Sequence, residues 1–198
     1  MKRGIKEMNI ILASGSPRRK ELLAQAGFDF EVEVSNADEN VEEESPTEMV
    51  EELAARKAEA VVNLHNKKED NCLVIGADTI VVLDGKILGK PADEADAKAM
   101  LASLSGRTHQ VYTGVALFSL KEGIIEKKTT FHECTDVTMV SMTEKEIADY
   151  VASGDPMDKA GAYGIQGMAA IFISEIKGDY YNVVGLPISR VYHEIEQF

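Results

Sequence analysis

Cysteine is scarce in this chain of 198 residues: Cys72 and Cys134 form no CxxC unit, so neither a thiol redox motif nor a paired thiolate site is built in. Cys72 opens an apolar strand and reads as core, and a reducing, cytoplasmic setting is the default. Histidine is also sparse, and His65, His109, His132 and His193 have no metal-ligand spacing. No apolar run approaches the ~20 residues that span a bilayer, and the basic start Met1-Lys2-Arg3 leads into no long apolar stretch or cleavage signal. Positive charge is in deficit, 21 Lys and Arg against 34 Asp and Glu. A net charge of -13 and a pI near 4.8 supply no broad cationic footprint, which excludes a nucleic-acid polymer or a membrane surface as partner. A Walker loop, a nucleophile elbow and an internal repeat are also missing.

What is present begins at a junction. The apolar run Asn9-Ile10-Ile11-Leu12-Ala13 breaks into Ser14-Gly15-Ser16-Pro17-Arg18-Arg19-Lys20, then Glu21-Leu22-Leu23. It reads as strand, turn and helix start, with Ser16 as N-cap and Pro17 as the first helical residue. Three cations in a first helical turn oppose the helix dipole by roughly 0.3–1 kcal/mol each. In an acidic chain the simplest compensation is a bound polyanion, held by free backbone N–H groups and guanidinium forks.

Further along, a helix is expected from Pro17 to Ala26, closed by Gly27, and a half-buried strand over residues 28–34. An acidic loop, Ser35 to Ser45, precedes a helix whose Met49, Val50, Leu53, Ala54, Lys57, Val61 and Leu64 recur at helical spacing. Cys72-Leu73-Val74-Ile75 reads as a central strand stopped by Gly76-Ala77-Asp78-Thr79. Asp84-Gly85 between apolar runs signals a hairpin. A helix over 94–103, two long antiparallel strands over 109–120 and 127–139, and a helix opened by the box Thr143-Glu144-Lys145-Glu146 follow. A late strand over 169–176 and a terminal helix from Pro187 complete the pattern. Helices and hairpins alternate without a regular βαβ period, so the expectation is α/β: a mixed twisted sheet with flanking helices. The length suits one domain, 1–198, of two closely joined lobes.

Four clusters carry chemistry. Ser14, Ser16, Arg18 and Arg19 supply hydroxyl, backbone and bidentate donors for phosphate. Asp78-Thr79 lies beyond a buried strand, where a carboxylate either orients water, accepts its proton and holds Mg²⁺, or makes an Asx turn. Glu39 is a candidate metal ligand, and Lys57 and Lys90 candidate partners of phosphate oxygens. Lys57 falls on the apolar side of its helix, which snorkelling also explains. Finally, Asp158-Lys159-Ala160-Gly161-Ala162-Tyr163-Gly164-Ile165-Gln166-Gly167 offers a close-fitting backbone turn and an amide able to read a base edge, with Tyr163 alternatively ordinary core. Cations, carboxylates and an amide together fit a nucleoside triphosphate site with a divalent metal, Mg²⁺ or Mn²⁺.

The stretches LASGSPRRKELL, LAARKA, IGADTIVVLDGKILGKP, LSGRTHQVYTGVAL, DKAGAYGIQG and YYNVVGLP resemble the Maf family of nucleoside triphosphate pyrophosphatases, also described as septum-formation inhibitors. The resemblance implies hydrolysis between the α and β phosphates, giving a nucleoside monophosphate and pyrophosphate. It implies Asp78 as proton acceptor, and Arg18, Thr79 and Gln166 as marks of the branch that prefers dTTP and UTP. Ser14, Arg19, Lys57 and Lys90 match positions around the phosphates, and Glu39 with Asp78 positions around the metal. It further implies an elongated two-lobed fold with a central cleft, similar to inosine triphosphatase, and a homodimer. The rival expectations are a pyrophosphatase for purine or modified nucleotides such as 7-methyl-GTP, and a nucleotide-sensing regulator of cell division.

Overall fold

Residues 9–34, 36–38, 45–65 and 71–198 are described by a computed structural model of the chain. The apolar run after Asn9 forms strand β1 (Ile10–Leu12), every residue of it buried. Pro17 starts helix α1 (Pro17–Gln25), and the chain turns through Gly27 at φ 78° into β2 (Phe30–Val32). β2 is shorter than its alternating sequence suggests: its register with β1 covers only Phe30–Val32, and Val34 is exposed. Helix α2 (Pro46–His65) follows. Its apolar stripe is the expected one up to Val61, but at the last turn His65 is buried instead of Leu64. The His65 ring places Nε2 2.9 Å from Glu33 Oε1.

The segment Gly76-Ala77-Asp78-Thr79 does not stop the next strand. Strand β3 runs unbroken from Cys72 to Leu83 (Cys72–Leu83), so the expected turn is corrected to mid-strand. Gly76 is there for proximity: a Cβ on it would lie 2.2 Å from the backbone oxygen of Ala54 in α2. Glycine lets helix and strand touch backbone to backbone. Asp84 and Gly85, at φ 50° and 77°, make the expected tight hairpin to β4 (Lys86–Leu88).

Asp93 caps α3 (Glu94–Leu104) by accepting the Asp96 N–H at 2.8 Å. Two long strands, β5 (Thr108–Lys121) and β6 (Ile124–Met139), are joined by Glu122-Gly123, both at positive φ. Thr143 and Glu146 close a reciprocal capping box on α4 (Glu144–Ala152), as their spacing predicts. The late strand begins later than expected. Met168–Phe172 form a 3₁₀ turn, and β7 covers only Ile173–Lys177. A short helix, α5 (Tyr180–Val184), went unforeseen among Gly178, Asp179 and paired tyrosines, and α6 (Ile188–Ile195) ends the chain.

The strands form one seven-stranded sheet in the order β2-β1-β3-β5-β6-β7, with β4 beside β3. β1 is parallel to both β2 and β3, whereas β3–β4 and β6–β7 are antiparallel, so the sheet is mixed as expected. Two compact units divide the chain: Met1–Asp78, Thr113–Glu133 and Gly185–Phe198 in one, Thr79–Tyr112 and Cys134–Val184 in the other. Each owns an apolar core. That of the first gathers Ile11, Ala54, Val61, Val74 and Phe118, and that of the second Val81, Leu101, Val111, Val151 and Phe172. Cys72 is buried, and neither cysteine is in a disulfide. Among the described residues no helix is long and apolar enough to cross a membrane.

Candidate active site

In the first unit, β1 and β3 run parallel with Leu12 opposite Ile75, and the Ala13 N–H donates to the Ile75 carbonyl at 2.8 Å. Ser14 follows two residues after Leu12, and Asp78 three after Ile75. Ser14 therefore leaves the carboxyl end of β1, the kind of edge where open α/β sheets bind ligands, and Asp78 lies mid-strand on β3 just past the stretch that pairs with β1. Alternation along β3 puts Cys72, Val74, Gly76 and Asp78 on one face. That face meets α2, where Ala54, Lys57 and Ala58 lie one turn apart.

The outcome is a close pair: Lys57 Nζ donates to Asp78 Oδ1 at 2.6 Å, with the two side chains 14% and 15% exposed. Lys57 on the apolar side of its helix is therefore an ion-pair donor to a carboxylate. Asp78, an acceptor-only group when ionised, is oriented by that ammonium and still reachable from solvent. Thr79 sits next in sequence, yet strand alternation turns its side chain to the opposite face of β3.

At the junction, Ser16 occupies the N-cap position of α1 in extended backbone, but its side chain makes no capping bond; its N–H donates instead to Ser14 Oγ at 3.2 Å. No acidic residue lies in the first turn of α1. The two arginines differ. Arg19 is 9% exposed, and donates through Nε to the Gly185 carbonyl at 2.8 Å and through a terminal nitrogen to Ser14 Oγ at 3.1 Å. It ties the junction to the start of the last segment of its unit, so part of its fork is already engaged. Arg18 is half-buried on the same turn.

In the second unit, Lys90 is exposed in the bend after β4. Gln166 is exposed at the tip of a turn closed by the Gly167 N–H donating to the Gly164 carbonyl at 3.1 Å. Tyr163 is core, but not ordinary core: its hydroxyl shares a 2.7 Å hydrogen bond with Nε2 of fully buried His109. Burial pushes the His109 imidazole down to about 4, a descent only partly opposed by the Asp136 charge. Burial, then the hydrogen bond to Asp155, raises the Tyr150 phenol well above its ordinary value, which keeps it a donor. The His109–Tyr163 pairing does not announce itself in sequence, because 54 positions separate the two.

Glu39 falls outside the described residues. Among those described, no group of three or more His, Cys, Asp or Glu gathers as a ready-made metal cage. The donor set nevertheless fits a small hard cation. A lone carboxylate oxygen donor such as Asp78 suits Mg²⁺ or Mn²⁺, which take one or two carboxylates and draw the rest of their shell from water and substrate phosphates.

The profile of the Maf-like protein family matches residues 9–198. The chain belongs to that family. Curated relatives of this Maf-like chain include the dTTP/UTP pyrophosphatases of Bacillus mycoides, 55% identical over 96% of this chain and 95% of theirs, and of Bacillus cytotoxicus, 55% identical over 95% and 94%. The dTTP/UTP pyrophosphatase of a Bacillus cereus strain is 52% identical over the whole of this chain and 93% of its own. Two solved structures also resemble it. A nucleoside-triphosphatase / dITP/XTP pyrophosphatase of Mycobacterium abscessus has a TM-score of 0.40 at 16% identity, covering 68% of this chain and 76% of that one. The Staphylococcus aureus Ham1 protein has a TM-score of 0.45 at 18% identity, covering 66% and 71%.

Proposed function

We infer that this Maf-like chain is a nucleoside triphosphate pyrophosphatase acting on dTTP and UTP. The observation that carries the reading is the Lys57–Asp78 pair on β3, just past the carboxyl end of the neighbouring β1, in a chain more than half identical to proteins named for that activity. Asp78 accepts the proton of a water molecule whose oxygen attacks the α-phosphorus. The new P–O bond forms as the bridging bond to the β-phosphate breaks, and the leaving group is pyrophosphate. Lys57 orients the Asp78 carboxylate for that transfer, holding one oxygen so that the other can face the water.

Arg18, Arg19 and Lys90, with Ser14, neutralise and orient phosphate oxygens. Asp78 and Glu39 would hold the divalent metal, Mg²⁺ or Mn²⁺, which supplies charge neutralisation to the phosphates when bound. Arg18, Thr79 and Gln166 select the pyrimidine base, the Gln166 amide offering both a donor and an acceptor to a base edge. The enzyme works in the cytoplasm as a homodimer.

A substrate panel of dTTP, UTP, GTP and 7-methyl-GTP, scored for monophosphate and pyrophosphate with and without Mg²⁺ or Mn²⁺, tests the reading. Fast release of pyrophosphate from dTTP and UTP is the expected result. Orthophosphate as the product, or preference for the methylated purine, would overturn it. Nucleotide binding with no turnover under any metal would point to a sensor instead.

A further inference from the structure

Gln166 is exposed, and among the described residues its amide has no hydrogen-bond partner. The turn that carries it is held with unusual thoroughness for a surface loop. Ile165, its neighbour in the turn, is 8% exposed and anchors the loop to the core side. From beneath, the Asp155 carboxylate packs against Gly167, where a Cβ would stand 2.9 Å from one carboxylate oxygen and 3.3 Å from the other. The Lys159 stem packs against Gly164 in the same manner, 2.6 Å from where a Cβ would stand.

Those two side chains are locked to each other and to a third. Lys159 Nζ donates to Asp155 Oδ1 at 3.1 Å, to the Asp155 carbonyl and to Asp158 Oδ1 at 2.6 Å. The Tyr150 hydroxyl donates to Asp155 Oδ2 at 2.7 Å and accepts the Gly164 N–H at 3.4 Å. Both Asp155 oxygens are thus spoken for; the groups that hold them also touch Gly164, and the carboxylate itself packs against Gly167, so the cluster meets both glycines bracketing Gln166. A free amide on a clamped backbone is what a recognition group requires, since the ordering cost is met before the ligand arrives.

We propose that Asp155, gripped by Tyr150 and Lys159, is a positioning residue for substrate choice: it fixes the Gly164–Gly167 turn and so aims the Gln166 amide at the base. The proposal rests on the reading of Gln166 as the base-selecting amide. It assigns a role to Tyr150, Asp155 and Lys159 that involves no contact with the substrate.

The test is the ratio of kcat/KM on UTP to that on GTP, measured with Mg²⁺ for the wild type, Asp155→Ala, Asp155→Asn, Gly167→Ala, Gln166→Ala and the double variant Asp155→Ala/Gln166→Ala. Asp155→Ala and Gly167→Ala are each expected to lower the ratio roughly tenfold. Asp155→Asn, which keeps an oxygen for the Tyr150 hydroxyl, should recover most of it. The double variant should match Gln166→Ala alone, because both changes remove one and the same effect. An unchanged ratio in Asp155→Ala beside a lowered one in Gln166→Ala would overturn the positioning role and leave the base-reading role standing. An equal loss on both nucleotides, or multiplying losses in the double variant, would equally overturn it as mere structural damage. An unchanged ratio in Gln166→Ala would overturn both. Should Asp155→Ala fail to fold by circular dichroism, Gly167→Ala, with the carboxylate still present, decides.

Discussion

Asp78 owes its place to parity and its orientation to one lysine. Asp78 as a candidate carboxylate was readable from the chain, and so was Lys57 on the apolar stripe. That Asp78 lies within β3 and not after it was unreadable, as was their 2.6 Å pairing, because 21 residues separate them and no local pattern encodes the contact. Asp78→Asn keeps an oxygen for Lys57 and should leave the melting temperature within a few degrees of wild type. Turnover of dTTP should nonetheless fall by roughly 10²–10⁴-fold, the range for a lost general base. Full activity in that variant would remove Asp78 from the mechanism. His109 makes a second prediction at this scale. Its folded value, about 4, lies below the ordinary 6.5, so between those values the unfolded chain binds a proton that the folded one refuses. Stability from this group is therefore complete above about 6.5 and drains as pH falls through 4, by about 3 kcal/mol in all. Urea unfolding at pH 7 and pH 4.5 should show a steeper loss for the wild type than for His109→Phe; equal slopes would refute it.

At the level of elements, the hairpins and caps were legible because a single dipeptide or a four-residue box determines them. Asp84-Gly85 at positive φ and the Thr143–Glu146 box are where the pattern put them. What misled was glycine with two meanings. Gly76 resembles a turn residue, yet it is a contact residue, and only the helix above it reveals which. Gly114 in β5 is the same device, with a Cβ there falling 2.1 Å from the Val50 backbone oxygen of α2. Gly114→Ala should lower the unfolding free energy by roughly 2 kcal/mol or more, since backbone atoms cannot step aside as a flexible side chain would. Urea titration with an unchanged slope would register it, and a loss within 0.5 kcal/mol would contradict the close approach. The segment Ala169–Phe172 misled differently. Its apolar run reads as strand, while the chain coils it into a 3₁₀ turn that buries Ala169 and Phe172 and leaves Ile171 76% exposed.

For the molecule as a whole, the acidic balance and the cationic junction pull in opposite directions, and only local charge serves a triphosphate. The proposed divalent cation makes a test at this scale: excess EDTA should abolish turnover of UTP, and Mg²⁺ or Mn²⁺ added beyond the chelator should restore it. Undiminished activity in EDTA would remove the metal from the scheme. Each unit has an apolar core of its own, and Leu101 and Val61 are fully buried in different ones. Leu101→Ala should cost about 2–5 kcal/mol and Val61→Ala somewhat less, and the double variant should equal their sum within about 0.5 kcal/mol. A larger departure would mean that the two cores share strain. The mixed α/β class was legible from alternating helices and hairpins, whereas the sheet order was not, because parallel neighbours such as β1 and β3 lie some 60 residues apart.

The unbroken course of β3 sets a rule of inheritance. A residue added to or lost from the exposed Asp84-Gly85 tip changes only the end of a hairpin. The same event between Leu73 and Asp78 shifts the count by one and turns the carboxylate away from α2, stranding Lys57 opposite Ala77 or Thr79. Substitutions can accumulate along this strand in any descendant that remains active, but its length up to Asp78 must be copied without slippage.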